Sequence, residues 1–140
     1  MRTLLLTWII VLVTVGLGMT QTQKTFVKTF LPEEDCPFAV FAIDGTTEMH
    51  YWDEPTVRIT YTIQTNQLTE KDLETITKNG RYQIEMKFYE EARVMIFDMP
   101  KQEQYIFINE EKLEEHLDFE IFLPKGIRYR IVNPTVHPLM

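Results

Sequence analysis

The sequence predicts a mainly β domain with one short helix, arranged either as an antiparallel sandwich or as a short β-solenoid. Three observations carry that expectation. Val57, Ile59, Tyr61 and Ile63 alternate with Arg58, Thr60 and Thr62, and the segments 82–88 and 117–123 repeat this period of two, the pattern of half-buried strands. Turn-forming residues at Asp44-Gly45, Asn79-Gly80 and Pro124-Lys125-Gly126 punctuate the chain. Among the segments after the first apolar run, 68–78 departs most clearly from the strand pattern.

The chain has 140 residues, one domain's worth, and its 44% hydrophobic and 25% charged content suits a packed core. The formal net charge of −7 disfavours nucleic acid as a partner, because phosphate recognition needs clustered Lys and Arg.

Taken in order, residues 1–20 read as a secretory signal peptide: Arg2, an apolar run from Leu4 to Leu17, then small residues at Gly16, Gly18 and Thr20. The run is shorter than a bilayer span, so a membrane association arises only if the segment stays uncleaved. No cysteine sits at the end of this run, which excludes lipoprotein acylation. The expected destination is the periplasm or the cell envelope.

Residues 21–37 read as a flexible segment with an edge strand over 25–31, broken by Pro32-Glu33-Glu34-Asp35. The lone Cys36 has no intrachain partner, and the three acids before it disfavour a reactive nucleophile. Residues 38–133 form the β domain. The stretch 40–63 reads as an extended hairpin, turning at Asp44-Gly45 and cornering at Asp53-Glu54-Pro55, with 38–43 a strand buried on both faces. Thr69 is a good N-cap for the helix, Glu70 and Asp72 fall in its first turn, and Asn79-Gly80 ends it. Strands follow over 82–88, 94–99, 104–108, 117–123 and 127–131. Glu110 to His116 reads as a solvated acidic segment, either a helical turn or a loop. Asp118 and Glu120 are expected to face Arg128 and Arg130 across the last hairpin. Residues 134–140 read as a loose tail.

The order of these motifs resembles exported bacterial β-solenoid proteins of the auto-transporter adhesin head (GIN-domain-like) group, common in Bacteroidetes. The likeness is carried by the Asp44-Gly45 turn leading to Trp52, the Pro55-x-Val57-x-Ile59 strand, Asn79-Gly80-Arg81-Tyr82, the run from Phe119 to Ile127 through Pro124-Lys125-Gly126, and Ile131-Val132-Asn133. It spans residues 38–133 as an opening coil, and implies an adhesin-like structural or partner-binding role without catalytic residues. An opening coil without its continuation leaves strand edges unpaired, which implies a homo-oligomer paired through them.

Chemistry-bearing patterns are sparse. His50, His116 and His137 have no second His or Cys at ligand spacing, and the sequence holds no HExxH, CxxC, Walker or GxSxG pattern. His50 and His116 read as ordinary surface histidines. No catalytic, metal or cofactor-binding residue is assigned, and no cofactor is expected. The aromatic residues point instead to contact. Adjacent Tyr51 and Trp52 project from opposite faces of a strand, and Phe122 has the parity opposite to Phe119, Ile121 and Leu123 only if that strand is regular. Tyr51, Trp52 and Phe122 are therefore the candidate contact surface for a protein or carbohydrate. The expected function is a non-enzymatic exported domain of structural or partner-binding role, with a small-ligand or carbohydrate-binding module as the alternative.

Overall fold

The computed structural model describes residues 21–102 and 104–134. The segment 1–20 read as a signal peptide, and with it the question of export, lies outside the described residues, as do residues 135–140. Among the described residues, ten strands and one helix follow in order: β1 (Thr22–Phe30), β2 (Phe38–Ala42), β3 (Thr46–Trp52), β4 (Val57–Thr65), α1 (Glu70–Lys78), β5 (Glu85–Tyr89), β6 (Val94–Asp98), β7 (Phe107–Ile108), β8 (Glu111–Lys112), β9 (His116–Pro124) and β10 (Arg128–Val132). They make two four-stranded sheets, ordered β1-β4-β9-β3 and β10-β2-β6-β5, with β7-β8 as a separate small hairpin.

The mainly β, sandwich-like expectation holds, with one short helix as foreseen. Strand direction is more mixed than the sequence suggested. In the first sheet β4 runs antiparallel to β1 and β9, but β3 is parallel to β9. In the second, β2 is parallel to both β10 and β6, and β5 is antiparallel to β6.

Period-two patterning sets the core directly. Ile59, Tyr61 and Ile63 of β4 and Phe119, Ile121 and Leu123 of β9 point inward from the first sheet; Ala39, Phe41, Met95 and Phe97 answer from the second. Phe97 stacks on Phe41 at 4.9 Å and meets Phe30 edge-on at 5.2 Å, so one ring ties β6 to its own sheet and to β1 opposite.

The hairpin expected over 40–63 does not form. β2 and β3 belong to different sheets, and β3 and β4 flank β9 from opposite sides. Gly45 is required by proximity rather than by a hairpin turn: a Cβ there would lie 2.4 Å from the Leu117 carbonyl oxygen and 2.9 Å from the Phe119 ring. A turn signal specifies that the chain changes direction, not which strand it next pairs with. For the same reason Asp118 and Glu120 do not face Arg128 and Arg130, because β9 and β10 sit in different sheets. Nor is β2 buried on both faces: Ala39 and Phe41 are buried, whereas Phe38, Val40 and Ala42 are half-buried on the outer side.

Local signals fared better. β1 is an edge strand, longer at its start than expected. The strand expected over 82–88 begins only at Glu85; Tyr82 and Ile84 are buried in the preceding loop. That expected over 104–108 is reduced to the two residues of β7, which turn through Asn109 and Glu110, both at positive φ, into β8. In α1 the Thr69 hydroxyl accepts from the Asp72 N–H at 3.2 Å. At the other end Gly80, at φ +87, donates to Thr77 O and Arg81 donates to Ile76 O, a Schellman closure. Leu73 is the helix residue driven into the core. Thr69→Ala should lower stability by about 1 kcal/mol, the usual value of a lost N-cap; a urea midpoint unchanged from wild type would contradict that role.

Candidate functional site

The outer face of the first sheet gathers an arrangement that no single strand reveals. Side chains of one parity in β3, β4 and β9 turn away from the core, and the register sets His50 beside Phe122, Phe122 beside Arg58, and Glu48 beside Glu120. The rings of Trp52 and Phe122 lie 5.2 Å apart. The Arg58 guanidinium sits over both, at 4.9 Å from Trp52 and 4.8 Å from Phe122. His50 stacks on Phe122 at 4.9 Å with 23° between the planes. This is a half-buried cation–π cluster, each pair worth roughly 0.5–2 kcal/mol.

Of the three residues expected as a contact surface, the fold brings Trp52 and Phe122 together and places Tyr51 elsewhere. The β9 strand is regular, so Phe122 does project opposite Phe119 and Ile121. Tyr51, half exposed, points to the other side of β3, where its hydroxyl donates to Ile127 O at 3.1 Å and its ring lies 6.2 Å from Tyr129. Trp52 is held by its own indole N–H, which donates to Thr56 O at 2.7 Å and so closes the Asp53–Pro55 corner. Its side chain is therefore both structural and half-accessible.

Sequence reasoning missed Arg58, His50, Glu48 and Glu120 as members of the site. Alternation did place Arg58 outward, but the register that sets it over Phe122 joins residues 64 positions apart, and no local pattern encodes that. Two polar atoms of this face, His50 Nε2 and Arg58 Nε, are shielded from solvent without a hydrogen-bond partner.

A second polar centre lies below, between α1 and the 100–115 segment. Glu115, expected in a solvated loop, keeps only 8% of its side-chain surface exposed. It accepts from Arg81 Nη2 at 2.7 Å and Nε at 3.4 Å, and from the Tyr82 hydroxyl at 2.5 Å. Arg81 Nη1 also donates to Gln104 O at 2.6 Å, and the Tyr61 hydroxyl donates to Tyr82 O at 2.7 Å. Burial pushes the Tyr61 phenol up from 10.0 to about 12. Burial and then the bond to Glu115 push Tyr82 higher still. An open cavity of about 590 Å³ adjoins this network, lined in part by Asp44, Arg81, Tyr105, Lys112 and Glu115. Cys36 is buried, its Sγ directed at Arg93 O and Phe38 O, as suits an inert thiol.

No protein-family model matches the chain, and no curated relative matches it. Among solved structures it is similar to a "putative cell adhesion protein" from Clostridium sporogenes, at 12% identity and a TM-score of 0.46. The likeness covers 79% of this chain and 46% of that one, so the chain spans less than half of that structure's length. Similarity at this level carries no functional argument.

Proposed function

We propose that this is a non-enzymatic domain, exported to the cell envelope, that binds a protein partner through the outer face of its first sheet. The observation that supports this most directly is the Arg58–Trp52–Phe122–His50 cluster on a surface the fold does not otherwise need to cover. Trp and Arg are the side chains most often found to dominate protein interfaces. A carbohydrate platform is the weaker reading of the same face. Sugar rings stack on open aromatic faces, and here Arg58 covers Trp52 and Phe122 while His50 lies against Phe122.

The test is binding of the purified domain to an envelope fraction of the source cells. Protease treatment of the fraction should abolish binding and periodate oxidation should spare it. Arg58→Ala should weaken it by about 30-fold, corresponding to the roughly 2 kcal/mol of an interface hot spot. Loss on periodate treatment alone would replace the protein partner with a glycan, and an unchanged affinity in Arg58→Ala would remove this face from the account.

A further inference from the structure

We propose that Glu48, His50 and Glu120 form a binding site for a transition-metal dication of the zinc type on the outer face of the first sheet. The three side chains come from facing positions of β3 and β9: Glu48 is paired in register with Glu120, and His50 lies one step further along the same face. His50 Nε2 stands 3.5 Å from Glu48 Oε1 and 3.7 Å from Glu120 Oε2. One donor atom from each residue falls within a triangle of sides no longer than 4.8 Å. Zinc bonds to nitrogen and oxygen run about 2.0–2.2 Å, which sets donors about 3.4 Å apart around a tetrahedral ion. The two measured separations are close to that spacing.

A second observation concerns the histidine itself. Nε2 is closed off from solvent and has no hydrogen-bond partner, although two carboxylates flank it. A proton on Nε2 would give one N–H, which serves one carboxylate at a time. A cation bridges all three donors at once. The imidazole is also fixed in advance, since it stacks on Phe122, and the strands that carry the three ligands are paired by backbone hydrogen bonds. Such positioning lowers the ordering cost of binding.

The donor set selects the ion. One imidazole nitrogen with two carboxylate oxygens suits zinc or a related first-row dication, whereas calcium takes six to eight oxygens and disfavours a nitrogen ligand. Two carboxylates against the single nearby guanidinium of Arg58 leave the patch net negative, which favours a dication. Three protein ligands leave a fourth position for water or for a donor from a bound molecule.

This inference is independent of the contact reading, because metal binding is measured on the purified domain alone. Zinc titrated into the purified protein by calorimetry should bind at one site per chain. His50→Ala and Glu120→Gln should each weaken binding beyond the about 10–100-fold typical of losing an outer-shell partner. His116→Ala, which alters a histidine on the same face paired with Asp118 at 3.0 Å, should leave affinity unchanged. Cobalt in place of zinc should give the intense visible bands of a tetrahedral centre, and His50→Ala should abolish them while its thermal melt stays that of a folded domain. No zinc binding by the wild type, an equal loss in His116→Ala, or calcium binding in preference to zinc would overturn the assignment.

Discussion

Glu115→Ala is expected to destabilise the domain by about 3–5 kcal/mol, the usual cost of leaving one charge of a buried pair unmatched. Glu115 and Arg81 each keep only 8% of their side-chain surface exposed, and Glu115 takes hydrogen bonds from both Arg81 and Tyr82. Removing the carboxylate strands the guanidinium in the interior and frees the Tyr82 hydroxyl. Replacing both partners with apolar residues, Arg81→Met with Glu115→Leu, should recover much of the loss, because the desolvation of both charges is then removed. Urea unfolding of the single and double variants separates these cases. A single variant within 1 kcal/mol of wild type would show that the pair is solvated after all.

The same network sets a limit at high pH. Tyr61 holds its proton up to about 12 in the fold and up to about 10 when unfolded. Between those values the unfolded state binds fewer protons, so stability falls as pH rises, by up to about 1.4 kcal/mol per pH unit from this one group. Its contribution is complete below pH 10 and is lost through the window from 10 to 12. Tyr61→Phe should flatten that slope at the cost of its bond to Tyr82 O; an unchanged slope would assign the effect elsewhere.

The second large effect is at Gly45. Gly45→Ala would drive a Cβ to 2.4 Å from the Leu117 carbonyl oxygen, and backbone cannot swing aside as a side chain can. Either β3 lifts from β9 or both bend, so the expected loss is at the upper end of the roughly 1–3 kcal/mol of overpacking. Because Glu48 and His50 ride on β3, metal binding should weaken in this variant together with stability. Stability near that of wild type would mean that β3 approaches β9 less closely at that point.

What the sequence revealed and what it concealed divide along the range of the interactions. The helix was legible from Thr69, Asn79 and Gly80, and the inward sets of β4 and β9 from alternation, because both depend on neighbours a few residues away. Sheet membership was not. Asp44-Gly45 carries the same local signal whether the chain reverses within a sheet or crosses to the other, and its close approach to Leu117 is a contact that only the fold supplies. Glu115 illustrates the same limit in an acidic run: Glu110, Glu111 and Glu114 do stay exposed, while Glu115 turns inward because Arg81, 34 residues earlier, waits at the end of the α1 closure. On the outer face of the first sheet, Trp52 and Phe122 were named as candidates together with Tyr51, but the sequence left open which side of its strand Trp52 takes, and placed Phe122 outward only for a regular strand. Their common cap, Arg58, depended on a pairing between β4 and β9 that only the fold supplies.

The most direct measurement is photo-crosslinking in the source cells, with a benzophenone amino acid at Thr60 on the outer face of the first sheet and, separately, at Lys87 on the outer face of the second. The account predicts a discrete protein adduct from Thr60, lost when Arg58→Ala is combined with it, and none from Lys87. An adduct from Lys87 alone, or a Thr60 adduct indifferent to Arg58, would contradict it.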